Sequence, residues 1–348
     1  MGVWYCTRED VMSALDFKET ARNTRQVDRA IESASRMIEG MTHRRFYPET
    51  DTRFFDWPND QSARTWRLWL DQNELISVTK LTAGGVEIPA ADFFLEPAND
   101  GPPYTHIEID LDSSSAFSSG GTHQRAISVL GVFGYSAEFE SAGTITDPVA
   151  TTTATTINVS DSSLIGVGDL IKLGTEHMVV TGRSMLDTGQ NIGADLDASN
   201  SAVTVAVTDG TAFSAGETLL IGSERMLIVD IAGNSLIVKR AWDGSVLAAH
   251  TSGADIYASR TLTVERGALG TTAATHLGNA AVSRHVVPGA VRALAVAEAL
   301  VTLLNETSGY ARTVGSRESE REAAGRAIVQ LRKQVMTSYG RMARLRAV

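Results

Sequence analysis

The stretch Val264-Glu265-Arg266-Gly267-Ala268-Leu269-Gly270-Thr271-Thr272-Ala273-Ala274-Thr275-His276 decides the middle of this chain, because it has been written once before. Twenty-six residues earlier stands Val238-Lys239-Arg240-Ala241-Trp242-Asp243-Gly244-Ser245-Val246-Leu247-Ala248-Ala249-His250. A second match has an offset of 48: Ile157–Val180 against Val205–Ile228, with Asp161 on Asp209, Gly168 on Gly216, Asp169 on Glu217, Gly174 on Gly222, Glu176 on Glu224 and Met178 on Met226. A tandem array has one period. Two offsets exclude a simple tandem array and can come from one module nested in another. In the inner copy the halves join directly through Asp230-Ile231-Ala232-Gly233-Asn234-Ser235, a hairpin turn by composition. In the outer copy the first half stops near Met185 and the second begins near Arg260. Loop tips tolerate such insertions. The reading is an outer β module at 141–185 and 260–285 and an inner one at 186–259. Each is expected to be a small barrel or sandwich.

Outward from this region the texture changes. Val27, Ile31, Ala34, Ile38 and Met41 recur at helical spacing, with Thr24 as cap and an end near His43-Arg44-Arg45. Thr7 followed by Glu9 and Asp10 predicts a shorter helix to about Phe17. From Phe46 to Ser136 strands are expected, including a hairpin from Leu75 through Gly84-Gly85 to Ile88. Pro288 at a first helical position opens a helix through Leu304. Asn305–Gly315 is a break, and Ser316 caps a last helix carrying Ile328, Leu331, Val335, Tyr339 and Met342. The expected fold class is α+β: N- and C-terminal helices forming a helical bundle with a small antiparallel β region, built from 1–140 and 286–348, plus the two inserted β modules.

Composition limits function. The 348 residues are 43% hydrophobic and 21% charged, enough for a sizeable core. The one cysteine, Cys6, excludes an intrachain disulfide and a CxxC pair. No apolar stretch approaches a membrane helix, and Met1–Asp10 has no signal-peptide pattern. The reading is a soluble protein without membrane contact, kept in a reducing compartment. Net charge is −10, with residues 1–140 at −9 and residues 311–348 at +6. An acidic body argues against a protein that grips nucleic acid.

No catalytic constellation stands out. Gly267–Thr272 is glycine-rich but lacks the Gly-Lys-Ser/Thr of a phosphate loop. His250 and His276 occupy equivalent positions, yet no further ligands accompany them, so a repeated turn or edge histidine is expected rather than a metal site. Asp110 and Asp112 read as solvated acids. The aromatics Phe54, Phe55, Trp57, Trp66 and Trp69 could stack bases or sugars, but core or subunit interface is favoured in so acidic a segment. No enzyme, metal or cofactor is expected; the residues alone support an assembly or binding protein.

Several segments together resemble a known family. Tyr5-Cys6-Thr7-Arg8-Glu9-Asp10-Val11, Asp28-Arg29-Ala30-Ile31-Glu32-Ser33-Ala34-Ser35, Ile38-Glu39, Arg44-Arg45-Phe46-Tyr47-Pro48, Leu75-Ile76-Ser77-Val78 with Gly84-Gly85, Val132-Phe133-Gly134-Tyr135, Val287-Pro288 and Tyr339-Gly340-Arg341 are similar to head-to-tail adaptor proteins of long-tailed bacteriophages, also called head-tail connector or head-completion proteins. The middle, 141–285, departs from the compact family core. It resembles β modules of other phage structural proteins with a V-x-R-G-x-x-G-T-x-x-x-x-H signature. The resemblance implies a ring of twelve copies beneath the portal at the virion neck, assembled in the host cytoplasm. Stopper or tail-completion proteins would bind the other face, and genome DNA would pass through the channel without sequence-specific contact. It also implies that a C-terminal segment engages the portal ring. The basic tail fits that role, with Tyr339, Arg341, Met342, Arg344, Leu345 and Arg346 as expected portal contacts. Another neck protein, such as a stopper or tail terminator, and a virion-surface or host-binding β protein are the alternatives.

Overall fold

The computed structural model describes residues 2–15, 21–58, 64–307 and 318–341. The chain opens with helices α1 (Arg8–Leu15) and α2 (Ala21–Thr42). Seven strands follow: β1 (Glu49–Phe55), β2 (Arg67–Trp69), β3 (Leu75–Ala83), β4 (Val86–Ile88), β5 (Phe93–Glu96), β6 (His106–Ile109) and β7 (Ile127–Phe133). Ten more are β8 (Phe139–Thr144), β9 (Thr156–Asn158), β10 (Leu170–Leu173), β11 (Glu176–Asn191), β12 (Thr204–Ala206), β13 (Thr218–Ile221), β14 (Glu224–Ala232), β15 (Ser235–Lys239), β16 (Asp255–Glu265) and β17 (Ala281–His285). Helices α3 (Gly289–Thr307) and α4 (Glu318–Tyr339) close the chain. Two compact units result. One comprises Met1–Met37, Phe139–Ala268 and Thr272–Gln334; the other comprises Ile38–Glu138, Leu269–Thr271 and Val335–Val348.

The expected fold class is corrected here. The chain is mostly β, 36% strand against 22% helix, with large antiparallel sheets in place of a helical bundle carrying a small β region. The physical reason lies in the strands, which build three separate core clusters. α4 buries only Val335 among its described side chains, so it completes no bundle. The strands between Phe46 and Ser136 form two sheets around a core of their own, and the inserted modules outweigh the helices.

In the second unit a four-stranded sheet, ordered β1-β7-β3-β4, and a three-stranded sheet, ordered β2-β6-β5, enclose Leu68, Leu75, Leu81, Ile107, Ile127, Val129 and Phe133. β7 alternates buried and half-buried residues along its length. Its central Gly131 lies against β3 so closely that a Cβ there would sit 2.2 Å from the Ser77 carbonyl oxygen. Only glycine permits that strand approach.

In the first unit ten strands form one continuous sheet. Its two halves repeat each other. β12 pairs with β15, β15 with β14, β14 with β13 and β13 with the first part of β16. In the same way β9 pairs with the second part of β16, β16 with β11, β11 with β10 and β10 with β17. Residues 154–185 and 260–284 therefore share a sheet. Thr146 N–H to the Asn158 carbonyl (2.9 Å) and Ser160 N–H to the Thr144 carbonyl (2.8 Å) close the outer half into a barrel. Gly193 N–H to the Ala206 carbonyl (2.8 Å) closes the inner half. Each barrel has its own core. Ile145, Ile157, Ile171, Leu173, Met178, Val180 and Leu262 fill the outer one. Ile192, Val205, Leu219, Ile221, Met226, Ile228 and Leu236 fill the inner one. Small barrels fill their interiors with side chains in this way. The long strands β11 and β16 run through both.

The helices of this unit start from local signals. Thr7 Oγ1 accepts the Asp10 N–H at 3.1 Å while Asp10 Oδ2 accepts the Thr7 N–H at 3.0 Å, a reciprocal cap for α1. α2 begins at Ala21, one turn before the expected cap Thr24. It ends at His43, whose left-handed φ of 54° stops it. Val27, Ile31, Ala34 and Ile38 are buried, which is the face their spacing requires.

Candidate functional site

The most organised polar chemistry lies inside the barrels, and it occurs twice. Glu224 opens β14 and is fully buried. Arg240 grips it with two bonds, Nε to Oε1 at 2.7 Å and Nη2 to Oε2 at 2.8 Å. His250 Nε2 lies 2.9 Å from Oε2, and the N–H groups of Ala241 (3.0 Å) and Ala248 (3.1 Å) donate to the two oxygens. Glu176 opens β11 and repeats the pattern atom for atom. Arg266 donates at 2.7 and 2.8 Å, His276 Nε2 stands at 2.8 Å, and Gly267 and Ala274 N–H each donate at 3.0 Å.

Burial alone would raise both carboxyl pKa values. The donated bonds outweigh it and bring each to about 2. The carboxylates are therefore ionised at any ordinary pH. Each accepts five hydrogen bonds, which exhausts its lone pairs. Such a group can neither take a proton from a substrate nor bind a metal. Its work is to fix strand, loop and histidine in one geometry.

A third buried carboxylate ties the barrels together. Glu217 is fully buried, and Arg260 donates Nε at 2.8 Å and Nη2 at 2.6 Å to it. Ser162 of the outer barrel donates its N–H and its hydroxyl, both at 3.1 Å. Its counterpart Asp169 has a poorer partner, Arg284 Nη1 at 4.0 Å, beside the Gly166 N–H at 2.8 Å. Burial raises the Asp169 pKa to about 7 against the pull of Arg284 and Gly166.

A cleft of about 700 Å³ runs between α1 and the two barrels, with Arg8, Arg183, Arg225, Arg284 and Arg292 on its walls. Each arginine has a carboxylate. Arg8 pairs with Asp28 (2.7 Å), Arg183 with Glu9 (3.4 Å), Arg225 with Asp243 (3.7 Å), Arg284 with Glu140 (3.0 Å) and Arg292 with Asp10 (2.9 Å). The lining itself carries these five arginines against Glu9, Asp10 and Asp243, while Asp28 and Glu140 lie outside it.

The expected portal contacts divide. The Tyr339 ring meets Phe46 and Tyr135 edge-on, 5.6 Å from each. Arg341 donates Nη1 to the Asp71 carbonyl at 2.9 Å and Nη2 stands 3.3 Å from Glu74 Oε1. Both residues are half-buried and engaged within their own unit. Met342, Arg344, Leu345 and Arg346 lie outside the described residues, as does Ser316. His250 and His276 stand at isolated bridges outside the long strands, paired with Leu196 and Val149, the edge position expected, and their Nε2 atoms bond the buried carboxylates. Among the described residues no group of three His, Cys, Asp or Glu side chains is placed to hold a metal ion. No described helix is long and apolar enough to cross a membrane. Asp110 Oδ1 accepts the Asp112 N–H at 3.0 Å in a local turn. Of the aromatics, Phe55 is buried, Trp57 and Trp66 pack on the core, and Phe54 and Trp69 are exposed.

The carboxylate of each triad was missed by reading the two offsets separately. The 26-residue offset carries Arg and His, and the 48-residue offset carries Glu. Three charged or polar residues kept in both copies of an otherwise apolar framework are the signal of one buried cluster. Comparison of the chain with protein-family models, with curated proteins and with solved structures found no match.

Proposed function

We propose that this chain is a structural virion protein, a head-to-tail adaptor that forms a ring under the portal, joins the DNA-filled head to the tail and lines the DNA exit channel. One observation carries the reading. Segments from opposite ends of the chain, which bear the resemblance, interlock in one unit. Arg292 of α3 grips Asp10 of α1 with two bonds, at 3.0 and 2.9 Å, and Arg29 of α2 does the same to Glu306 of α3, at 3.1 and 3.0 Å. The barrels enter and leave this framework through β8 and β17, which pair directly with each other. A framework with an insertion returning to its point of departure suits an adaptor core carrying a peripheral decoration. The saturated carboxylates favour a structural role over a catalytic one.

The partners on this reading are the portal ring and the stopper or tail-completion proteins, with about twelve copies of the chain in the ring. Native mass spectrometry of the protein mixed with the portal ring of the same virion tests it. A gain of one copy per portal subunit is expected. Absence of binding, with binding to tail components instead, would favour another neck protein. Binding to neither, with attachment to host cells, would favour the virion-surface reading.

A further inference from the structure

The cleft between α1 and the two barrels, about 700 Å³, has the volume of a small-molecule site, roughly 300–1,000 Å³. Its lining holds more arginines than acids in a chain whose net charge is −10. Three of those arginines keep N–H groups in reserve. Arg8 spends Nε and Nη2 on Asp28, at 2.7 and 2.8 Å, and Arg292 spends the same two atoms on Asp10, at 3.0 and 2.9 Å. Among the described residues neither Nη1 has a hydrogen-bond partner, and both are open to solvent. Arg183 bonds Ser162 and Ser259 through Nε and Nη2, and its Nη1 stands 3.4 Å from Glu9, beyond ordinary hydrogen-bond length. Each Nη1 carries two N–H donors. The other bonds of each guanidinium already fix it in place, so offering Nη1 to a ligand costs little further ordering.

We propose that this cleft binds a small polyanion, a molecule carrying two or more phosphate or carboxylate groups. The cations come from different walls: Arg8 from α1, Arg183 from β11, Arg225 from β14 and Arg292 from α3. A single oxyanion cannot meet them all, whereas a ligand with several can bridge them. Guanidinium groups match phosphate and carboxylate oxygens in geometry as well as charge. Concave walls of low dielectric focus a positive surplus that would be diluted on an open surface. Met12, Met185, Leu227 and Trp242 on the same lining give a compact carbon body apolar contact. A nucleic-acid strand is the wrong size and would meet the acidic surface outside the cleft. The proposal concerns this cleft alone and does not rest on portal binding.

Equilibrium dialysis of the full chain against tripolyphosphate and, separately, against citrate tests it. One anion bound per chain is expected, with affinity falling as sodium chloride is raised. Arg225→Gln removes a wall cation. Ser184→Glu places a carboxylate on the wall at an exposed position. Each should weaken binding at least fivefold and leave the thermal melt in place. Lys80→Gln, at an exposed lysine of the other unit, should leave affinity unchanged. Binding of tripolyphosphate alone assigns the site to phosphate, binding of citrate alone assigns it to carboxylate, and binding of both shows that either oxyanion suffices; all three support the proposal. Uptake of neither anion at millimolar concentration, uptake of several per chain, affinity indifferent to both Arg225→Gln and Ser184→Glu, or an equal loss in Lys80→Gln overturns it.

Discussion

Replacing Glu224 with glutamine tests the claim that the buried triads hold the barrels. The amide nitrogen of glutamine cannot accept. Whichever way the side chain turns, one set of donors, Arg240 Nε with the Ala241 N–H or Arg240 Nη2 with the Ala248 N–H and His250, faces another donor. The guanidinium of Arg240 is itself buried and loses its counter-charge. Breaking a buried pair in this way costs about 3–5 kcal/mol. The carboxyl pKa gives an independent figure. A fall from 4.5 to about 2 is worth about 3 kcal/mol at roughly 1.4 kcal/mol per unit. That stability is present above the unfolded pKa and is lost as pH falls from about 4.5 toward 2. Urea unfolding of wild type and Glu224→Gln at pH 7 measures the difference. Hydrogen exchange should localise it, with amides of the inner barrel losing protection while Ile171, Leu173 and Val180 of the outer barrel keep theirs. A change under about 1 kcal/mol, or a loss spread equally over both barrels, would refute the reasoning.

Three further outcomes are expected. Ser184 pairs with Thr261, and their counterparts Ala232 and Ser235 are joined by Gly233-Asn234, so replacing Met185–Arg260 with Gly-Asn should leave a folded outer barrel, seen as retained exchange protection at Ile171, Val180 and Leu262. Asp169, its pKa raised by burial to about 7, holds a proton in the folded state that the unfolded chain releases near pH 4; this carboxyl contributes stability that is lost as pH rises between about 4 and 7, while His177, its pKa lowered by burial to about 4, contributes in the opposite sense, so stability should rise more steeply with pH in Asp169→Asn than in wild type in denaturation curves across this range. Arg284, Arg292 and Glu9 are the charged groups that act on Asp169, the two arginines favouring its ionised form and Glu9 opposing it. The Cys6 thiol is buried and its pKa pushed far up, so a thiol reagent should modify it only on unfolding, and rapid labelling of native protein would contradict its burial.

Much of the local structure was legible in residues. The spacing of Val27, Ile31, Ala34 and Ile38 marks the buried face of α2, and Thr7 marks the start of α1. The two offsets of the internal repeat predict that strands near 157, 180 and 262 meet, and they do. The balance of the fold was not legible. Helical periodicity announces itself over many turns, whereas the strands β2, β4, β5 and β6 are three or four residues long and carry little periodic signal each. Counting long helical runs therefore overstated the helices. The triads were half visible: Arg and His stood in one comparison and their carboxylate in another, and only the pairing of β11 with β16 and of β14 with β15 brings them together. Thr24 misled because its composition suits a cap, while the helix continues one turn earlier.

The two barrels are joined by a pair of unbroken strands, not by a tether. β11 and β16 cross from one barrel to the other side by side, paired along most of their length. A single peptide linker would let the inner barrel swivel. Two paired strands resist that motion even though their ladder shifts register three times, because twisting one barrel against the other shears the bonds between the bulges. Load applied to the inner barrel is delivered to the outer one at the same two strands, with the Ser162–Glu217 bonds as a brace across the joint. The inner barrel is thus built as a rigid outrigger whose angle is set by strand register.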